Sequence, residues 1–421
     1  MKGKGMPKAG DEVESKSELQ KSASTPCLYM FAHLHPRRFG YVLYKIDYKH
    51  LLDSDSDSNS NINDDEGIST PLPLMPFLVF YSGDLPDRFC SLVHLGDYLY
   101  FLGEKQSDFF KIAKSDIQHL VPSEHNVGSD YLKRLEPPMN SHKHEPIVFV
   151  AKGNLYAISR INHIDSPFEM FSPSKNSWTI LNPRPRGPYG PFKSHVLLGD
   201  NLYFATSPLD PDFFDHDESI FSYNLTHNLW KLLTTSCRPA FEHPILPIAN
   251  MLFGGFSLPF RGIQSTVAAS PYTVLNHSDT DAKAMFMRPT LAPESNFWPE
   301  FFLRDNYAFP LCSPSYYMTD LGHENVLCFI SYGQHPRSAD IMAFFTFFKI
   351  PGDFWSADPV LLGKESNDRW NFCHYATQVD SDSKHAVKSY FKSEFMHRKL
   401  FKISTDELLV DYGRLITCFS Y

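Results

Sequence analysis

The chain has 421 residues and a net charge of −9 at neutral pH, from 39 basic and 48 acidic residues. This acidic balance disfavours general nucleic-acid binding, because phosphate binding needs concentrated Lys and Arg. No apolar run reaches the roughly 20 residues that a membrane-spanning helix needs, so no association with a membrane is expected. The aromatic fraction of 15% and the 32 prolines favour β structure over long helices.

The N-terminal region is predicted to be a polar tail followed by a hairpin. Residues 1–25 contain no apolar run, so we expect disorder and no signal peptide. Seven scattered cysteines form no CxxC pair, which favours reduced thiols and a cytoplasmic or nuclear protein. Order is expected to begin at Cys27, with a first hairpin over residues 27–48. Residues 51–67 form an acidic insertion that is too polar to pack.

A repeated unit of two hairpins dominates the middle of the chain. Its clearest copy spans residues 195–233, where the turn Gly199-Asp200-Asn201 separates two apolar runs and a second hairpin follows. Similar copies begin at Ile147 and at Leu92. Four antiparallel strands in about forty residues have the size of a β-propeller blade.

Two copies of the unit carry an aromatic residue seven positions before a tryptophan. The pairs are Phe171 with Trp178 and Tyr223 with Trp230. Rings at this offset are expected to face each other across a hairpin and to fill the space between adjacent sheets.

The C-terminal half continues the β pattern less regularly. The predicted strands there cover residues 247–256, 266–268, 273–275, 326–332, 343–350, 370–379, 400–403 and 408–419. Residues 26–421 are therefore predicted to form one all-β domain, a β-propeller of four-stranded antiparallel blades, with six blades favoured and seven possible. An open ring would expose unpaired edges, so we expect Cys27–Ala32 to pair with Leu415–Phe419.

The repeat resembles a known family. A strand, a Gly-containing turn, a Leu-Tyr strand and an aromatic residue seven positions before Trp are similar to kelch repeats, which occur in plant F-box proteins. Kelch repeats usually carry a Gly-Gly doublet after the second strand, and only Gly254-Gly255 shows one in this sequence. Only about 25 polar residues precede the first strand, so no F-box is expected. The resemblance implies a monomeric, non-enzymatic module without a cofactor that binds a protein partner as a substrate-binding or scaffold subunit.

The binding residues are expected on the long loops at one end of the propeller. Candidate residues in residues 182–192 are Arg184, Arg186 and Tyr189, and those in residues 206–219 are Asp210, Asp212, Phe213, Phe214 and Asp215. Arg and aromatic side chains often anchor interfaces. The alternative interpretation is that both loops are solvated connections.

The competing function is an enzyme that resembles the galactose oxidase propeller. That chemistry needs a Tyr cross-linked to Cys and paired histidines on one metal, and no spacing in the sequence singles out such a set. The run from His142 to Glu145 could offer metal ligands but is expected to be a solvated loop. His94 and His195 are predicted to lie on the same side of matching strands as structural histidines.

Overall fold

The computed structural model describes most of the N-terminal half of the chain and the strands of the C-terminal half. The described residues are 27–36, 39–48, 72–81, 83–86, 89–123, 125–161, 167–187, 189–206, 219–233, 242–248, 251–258, 264–275, 283–286, 290–291, 315–321, 326–334, 341–349, 394–403 and 410–420. The predicted tail (1–25), the acidic insertion (51–67) and the predicted strand at 370–379 lie outside them.

Strands make up most of the described residues. The first twelve strands are β1 Cys27–Pro36, β2 Phe39–Asp47, β3 Leu72–Leu74, β4 Leu78–Tyr81, β5 Ser91–Leu95, β6 Tyr98–Leu102, β7 Phe109–Ala113, β8 Lys133–Arg134, β9 Pro146–Ala151, β10 Asn154–Ser159, β11 Glu169–Ser172 and β12 Ser177–Ile180. The next are β13 Phe192–Leu198, β14 Asn201–Thr206, β15 Ile220–Asn224, β16 Leu229–Leu233, β17 Glu242–Ile248, β18 Met251–Leu258, β19 Gln264–Leu275, β20 Lys283–Phe286 and β21 Thr290–Leu291. The last are β22 Ser315–Asp320, β23 Val326–Gln334, β24 Ile341–Lys349, β25 Glu394–Ile403 and β26 Val410–Ser420.

The described strands form six sheets, numbered here from the N-terminus. Their strand orders are β26-β1-β2-β4 (sheet 1), β5-β6-β7-β8 (sheet 2), β9-β10-β11-β12 (sheet 3), β13-β14-β15-β16 (sheet 4), β17-β18-β19-β20 with β21 beside β19 (sheet 5), and β22-β23-β24-β25 followed by parallel β3 (sheet 6). Each sheet thus contains four antiparallel strands, as the sequence predicts.

The sheets pack side by side into a β-propeller. Buried apolar clusters join sheet 6 to sheet 1, sheet 1 to sheet 2, sheet 2 to sheet 3 and sheet 3 to sheet 4. Strand β17 of sheet 5 contacts β13 of sheet 4 on one side and β22 of sheet 6 on the other. The first strands of neighbouring sheets contact each other, as β5 does with β9 and with β26, so the innermost strands surround the ring axis.

The two ends of the chain close sheet 1. Strand β26 pairs antiparallel with β1, with Met30 opposite Cys418 and Tyr29 opposite Phe419. This confirms the pairing predicted for Cys27–Ala32 with Leu415–Phe419. The pairing matters because β1 and β26 would otherwise each present an unpaired edge at the inside of the ring.

The aromatic–Trp pairs also lie where the sequence places them. Phe171 stands opposite Trp178 with ring centroids 5.2 Å apart, and Tyr223 opposite Trp230 at 4.9 Å. Trp178 also contacts Phe109 of sheet 2 at 5.0 Å. The rings therefore fill the space between neighbouring sheets, as predicted.

The tight turns repeat at one end of the sheets. Gly96 and Gly199 open two-residue turns with φ of +59°, a conformation that a side chain disfavours.

A hydrogen bond to an Asn at the third-to-fourth turn recurs where neighbouring sheets meet at their outer strands. Asn176, at the end of the β11–β12 turn, donates from Nδ2 to the Glu136 carbonyl of the preceding unit at 2.7 Å. At the matching turn of sheet 4, Asn228 Oδ1 accepts a hydrogen bond from the backbone N of Asn182 at 2.8 Å.

Two features differ from the sequence-based expectation. The fourth strand of sheet 2 is β8, only two residues long, and it follows the short helix α1 (Lys114–Ile117) and a single 3-10 turn (Gly128–Asp130). The separate strands expected at 266–268 and 273–275 are one strand, β19, because the chain runs straight past Pro271. No helix in the described ranges is long and apolar enough to cross a membrane.

Replacing Phe171 by Ala should lower the free energy of unfolding by about 3–5 kcal/mol, because it removes a buried ring that packs between sheets 2 and 3. The measurement is chemical unfolding. Ile180→Ala is the control, since Ile180 lies in the same sheet but is 56% exposed, and its expected effect is within about 0.5 kcal/mol. Equal losses in the two variants would contradict this packing.

Candidate functional site

The two ends of the propeller differ in their connections. In this strand order, the first-to-second and third-to-fourth turns share one end, which we call the turn face. The second-to-third loops and the connections between sheets share the other end, which we call the loop face. The described parts of the loop face around sheets 2, 3 and 4 are residues 103–108, 135–145, 160–161, 167–168, 181–187 and 189–191.

The buried charges of the described residues all belong to the loop face. Three charged side chains are buried, namely Lys143, Glu169 and Arg184. Lys143 and Arg184 lie on connections between sheets, and Glu169 begins strand β11 directly after a second-to-third loop. Burying a charge is costly unless it is paired and hydrogen-bonded, so the partners of these groups decide what the loop face can do.

Glu169 and Lys143 form a buried ion pair that joins two loops of sheet 3. Both side chains are fully buried, and the Lys143 ammonium donates to Glu169 Oε1 and to Ser141 Oγ. Ser141 Oγ donates to the same carboxylate at 2.7 Å, and Asn140 donates to Glu169 Oε2 from its backbone N and its Nδ2, both at 2.8 Å. Burial lowers the pKa of Lys143, and the nearby Glu169 charge opposes that shift. The network fixes the 135–145 connection to strand β11.

The expectation of a solvated loop at 142–145 is therefore wrong for Lys143. His142 is exposed and His144 is half-buried, with its backbone N donating to Ser159 Oγ at 3.0 Å. Across the ranges that the structure describes, no three His, Cys, Asp or Glu side chains gather as metal ligands. The sequence does not predict that Ser141 and Glu169 belong to this network, because neither stands in a recognisable motif and they are 28 positions apart.

A second, partly exposed ion pair lies beside this network. Arg160 Nε is 3.5 Å from Glu145 Oε2, and the Glu145 backbone N donates to Glu104 Oε1 at 3.2 Å. The Lys143 backbone N donates to the Glu104 carbonyl at 2.8 Å. The 103–108 loop of sheet 2 is thereby tied to the connection that leads into sheet 3.

Arg184 was predicted to be displayed to a partner, and the structure corrects this. Only 9% of the residue is exposed, because its guanidinium lies 4.0 Å from the ring centroid of Phe192 and 5.2 Å from that of Phe221. Nη2 donates to the Gly190 carbonyl at 2.9 Å. Burial lowers the pKa of Arg184 to about 10, so the side chain keeps its charge at neutral pH. A proline-rich sequence gives no sign of this, because the aromatic rings come from two separate strands.

The other predicted binding residues have different outcomes. Arg186 is exposed on the loop face, and its role as a contact residue stays a prediction. Tyr189 is half-buried, with its ring edge against Phe221 at a centroid distance of 4.8 Å. The remaining five candidates, Asp210, Asp212, Phe213, Phe214 and Asp215, lie outside the described residues.

His94 and His195 lie in the first strands of sheets 2 and 4, and their rings have different surroundings. His94 Nε2 donates to the Gly96 carbonyl at 2.7 Å. His195 lies between sheets 3 and 4, with its ring 5.9 Å from Phe149 and 6.0 Å from Phe204. Burial, together with the charge of Arg160, lowers the pKa of His195 to about 4. The two imidazoles do not share a site.

Comparisons with known proteins give a likeness in fold. No protein-family model matches the chain, and no curated protein matches it either. One similar solved structure is that of the GH43 BlXynB protein from Bacillus licheniformis, at 13% identity and a TM-score of 0.30. The match covers 63% of this chain and 53% of that one, so this chain spans about half the length of that protein.

The prediction that the chain is not an enzyme is contradicted by this comparison. The similar solved structure named above is that of a GH43 protein, a glycoside hydrolase.

Replacing Glu169 by Gln should lower the free energy of unfolding by about 3–5 kcal/mol, since it leaves the buried Lys143 ammonium without a counter-charge. Adding Lys143→Met to that variant removes the stranded cation and should recover part of the loss. Denaturant unfolding of the two single variants and the double variant measures this coupling. Additive losses would show that the two side chains do not act as a pair.

Proposed function

We propose that this chain is a kelch-type propeller whose loop face binds a partner protein. The observation that carries the proposal is that the three buried charged side chains of the described residues all belong to one face. The buried Lys143–Glu169 ion pair contributes little net stability compared with apolar packing of the same volume, and the buried Arg184 belongs to no ion pair of the described residues. Their concentration on the loop face favours a role in holding these loops in a defined shape for recognition.

The kelch assignment draws on the repeat itself. Two-residue turns, Leu-Tyr second strands and aromatic–Trp pairs recur in sheets that pack around one axis. Gly254-Gly255 stands within the second strand of sheet 5 and not after it, so the doublet adds no support. We assign one blade to each of the six sheets. By resemblance to the kelch family, the chain would act as a substrate-binding or scaffold subunit.

Compartment and assembly belong to the same proposal. Cys90 and Cys328 are buried free thiols, as suits a reducing compartment, which supports a location in the cytoplasm or nucleus. The closure of sheet 1 by the chain's own termini leaves the ring complete in a single copy, which favours a monomer.

Arg186 offers a direct test because it is exposed on the loop face beside the buried anchor Arg184. The variant Arg186→Glu reverses a charge at the proposed contact and should reduce capture of the partner at least tenfold, with an unchanged melting temperature. The measurement is affinity capture with quantitative mass spectrometry, followed by titration of the recovered partner in purified form.

Lys175→Glu is the matched control. Lys175 is equally an exposed cation, but it lies in the β11–β12 turn on the turn face. We expect this variant to capture the partner as the wild type does. If Arg186→Glu retains the partner, or if Lys175→Glu loses it, the loop face is not the binding surface.

A further inference from the structure

Arg184 is a buried cation whose hydrogen-bonding capacity is only partly used. Its Nη2 atom donates to the Gly190 carbonyl, whereas Nε and Nη1 are buried without a hydrogen-bond partner. None of the ion pairs found within the described ranges includes Arg184. A buried polar group without a partner costs free energy, and more so when it is charged. Nε and Nη1 of this guanidinium could therefore donate to an acceptor that the surrounding strands do not supply.

The geometry of a guanidinium defines what that acceptor can be. Its five N–H groups form two forks, one made by Nε with Nη2 and the other by Nη1 with Nη2. The Gly190 carbonyl takes one of the two Nη2 hydrogens, and each of those hydrogens belongs to a different fork. One complete fork therefore stays open. A planar acceptor with two oxygens, as in a carboxylate, matches it with two parallel hydrogen bonds.

The charge and the surroundings favour a single negative charge. The guanidinium lies among the rings of Phe192, Phe221 and Tyr189, with centroids at 4.0, 5.2 and 6.0 Å. In such an apolar site one carboxylate neutralises the one cation. A phosphate dianion would leave a net negative charge buried among aromatic rings, which is unfavourable. The site thus favours a carboxylate over a phosphate dianion by its charge as well as by its planar shape.

The segment around Arg184 connects this buried group to the surface. Pro183, Arg186 and Pro191 are exposed on the loop face, and Tyr189 is half-buried beside the guanidinium. A partner docked on the loop face would meet this segment directly.

We propose that the open fork of Arg184 binds a carboxylate side chain of the partner protein, an inference that rests on the proposed function of the loop face. The buried guanidinium supplies two parallel N–H donors, and the aromatic rings exclude water from the ion pair. Exclusion of water strengthens such a pair, because the charges no longer compete with solvent. The site would thus recognise an Asp or Glu of the partner by two parallel hydrogen bonds as well as by its negative charge.

The test uses the full-length chain labelled with 15N at arginine, with the Arg184 Nε–H resonance assigned through Arg184→Lys. The probes are the blocked tripeptide Gly-Glu-Gly, its Gly-Gln-Gly analogue, sodium acetate and inorganic phosphate, at constant ionic strength. We expect the Glu peptide to shift the Arg184 resonance saturably, and the Gln peptide and phosphate to leave it unchanged. At a peptide concentration of ten times Kd, the folding equilibrium constant should rise about elevenfold.

Two matched variants separate fork geometry from charge. Arg184→Lys keeps a cation but loses the fork, and it should weaken binding of the Glu peptide at least tenfold. Arg134→Lys makes the same change on an exposed arginine of strand β8 in sheet 2, away from the loop face, and should leave the affinity unchanged. Equal affinity in wild type and Arg184→Lys would overturn the proposal.

The remaining outcomes also decide the question. Binding of acetate without the Glu peptide would show a small-molecule site and overturn the assignment to a partner side chain. A further variant changes the four aspartates of residues 206–219 to Asn, namely Asp210, Asp212, Asp215 and Asp217. If this variant binds a carboxylate and the wild type does not, an aspartate of the chain itself occupies the fork and the proposal is wrong. A partner lost with Arg186→Glu but retained with Arg184→Lys would refute this inference and leave the proposed function intact.

Discussion

The pairing of β1 with β26 is the interaction on which the rest of the structure depends. Each sheet has two apolar sides and hides them only between two neighbours, as the buried clusters on both sides of sheet 1 show. A row of such sheets leaves its end sheets half-covered unless the row closes. The antiparallel register of Leu28–Pro36 against Val410–Ser420 builds one sheet from both termini and so makes the row a ring.

Closure of the ring gives its two ends different physical roles. The turn face is formed by short turns whose geometry is set locally, by residues such as Gly199. The loop face is formed by connections between sheets, and those of sheets 2 to 4 are fixed by buried polar groups: Glu169 holds Lys143, and aromatic rings enclose Arg184. The ion pair is satisfied internally, whereas the guanidinium keeps open donors. The first group therefore shapes the face, and the second keeps the donors that we propose bind a carboxylate.

Local patterns in the sequence predict the strands and their partners, but they do not predict the buried charges. Strand alternation and a fixed offset of seven residues suffice to place Tyr223 opposite Trp230, because both belong to one hairpin. The burial of Arg184 depends on Phe192 and Phe221, which lie in two other segments, β13 and β15. The apolar patterns of those strands predict that the rings are buried, but not that they contact an arginine. Lys143 and Glu169 meet for the same reason, since the folded ring, and no nearby motif, brings them together.

Closure of the ring can be measured through the register of its terminal strands. Met30 stands opposite Cys418, and paired strand residues have the Cα separation that a disulfide needs. Under mild oxidation, Met30→Cys should yield a disulfide between residues 30 and 418, identified by peptide mapping and by a reductant-sensitive shift in gel mobility. Met170→Cys, opposite Tyr156 and Thr179, is the control and should not cross-link. A folded Met30→Cys protein without that link would contradict the closed ring.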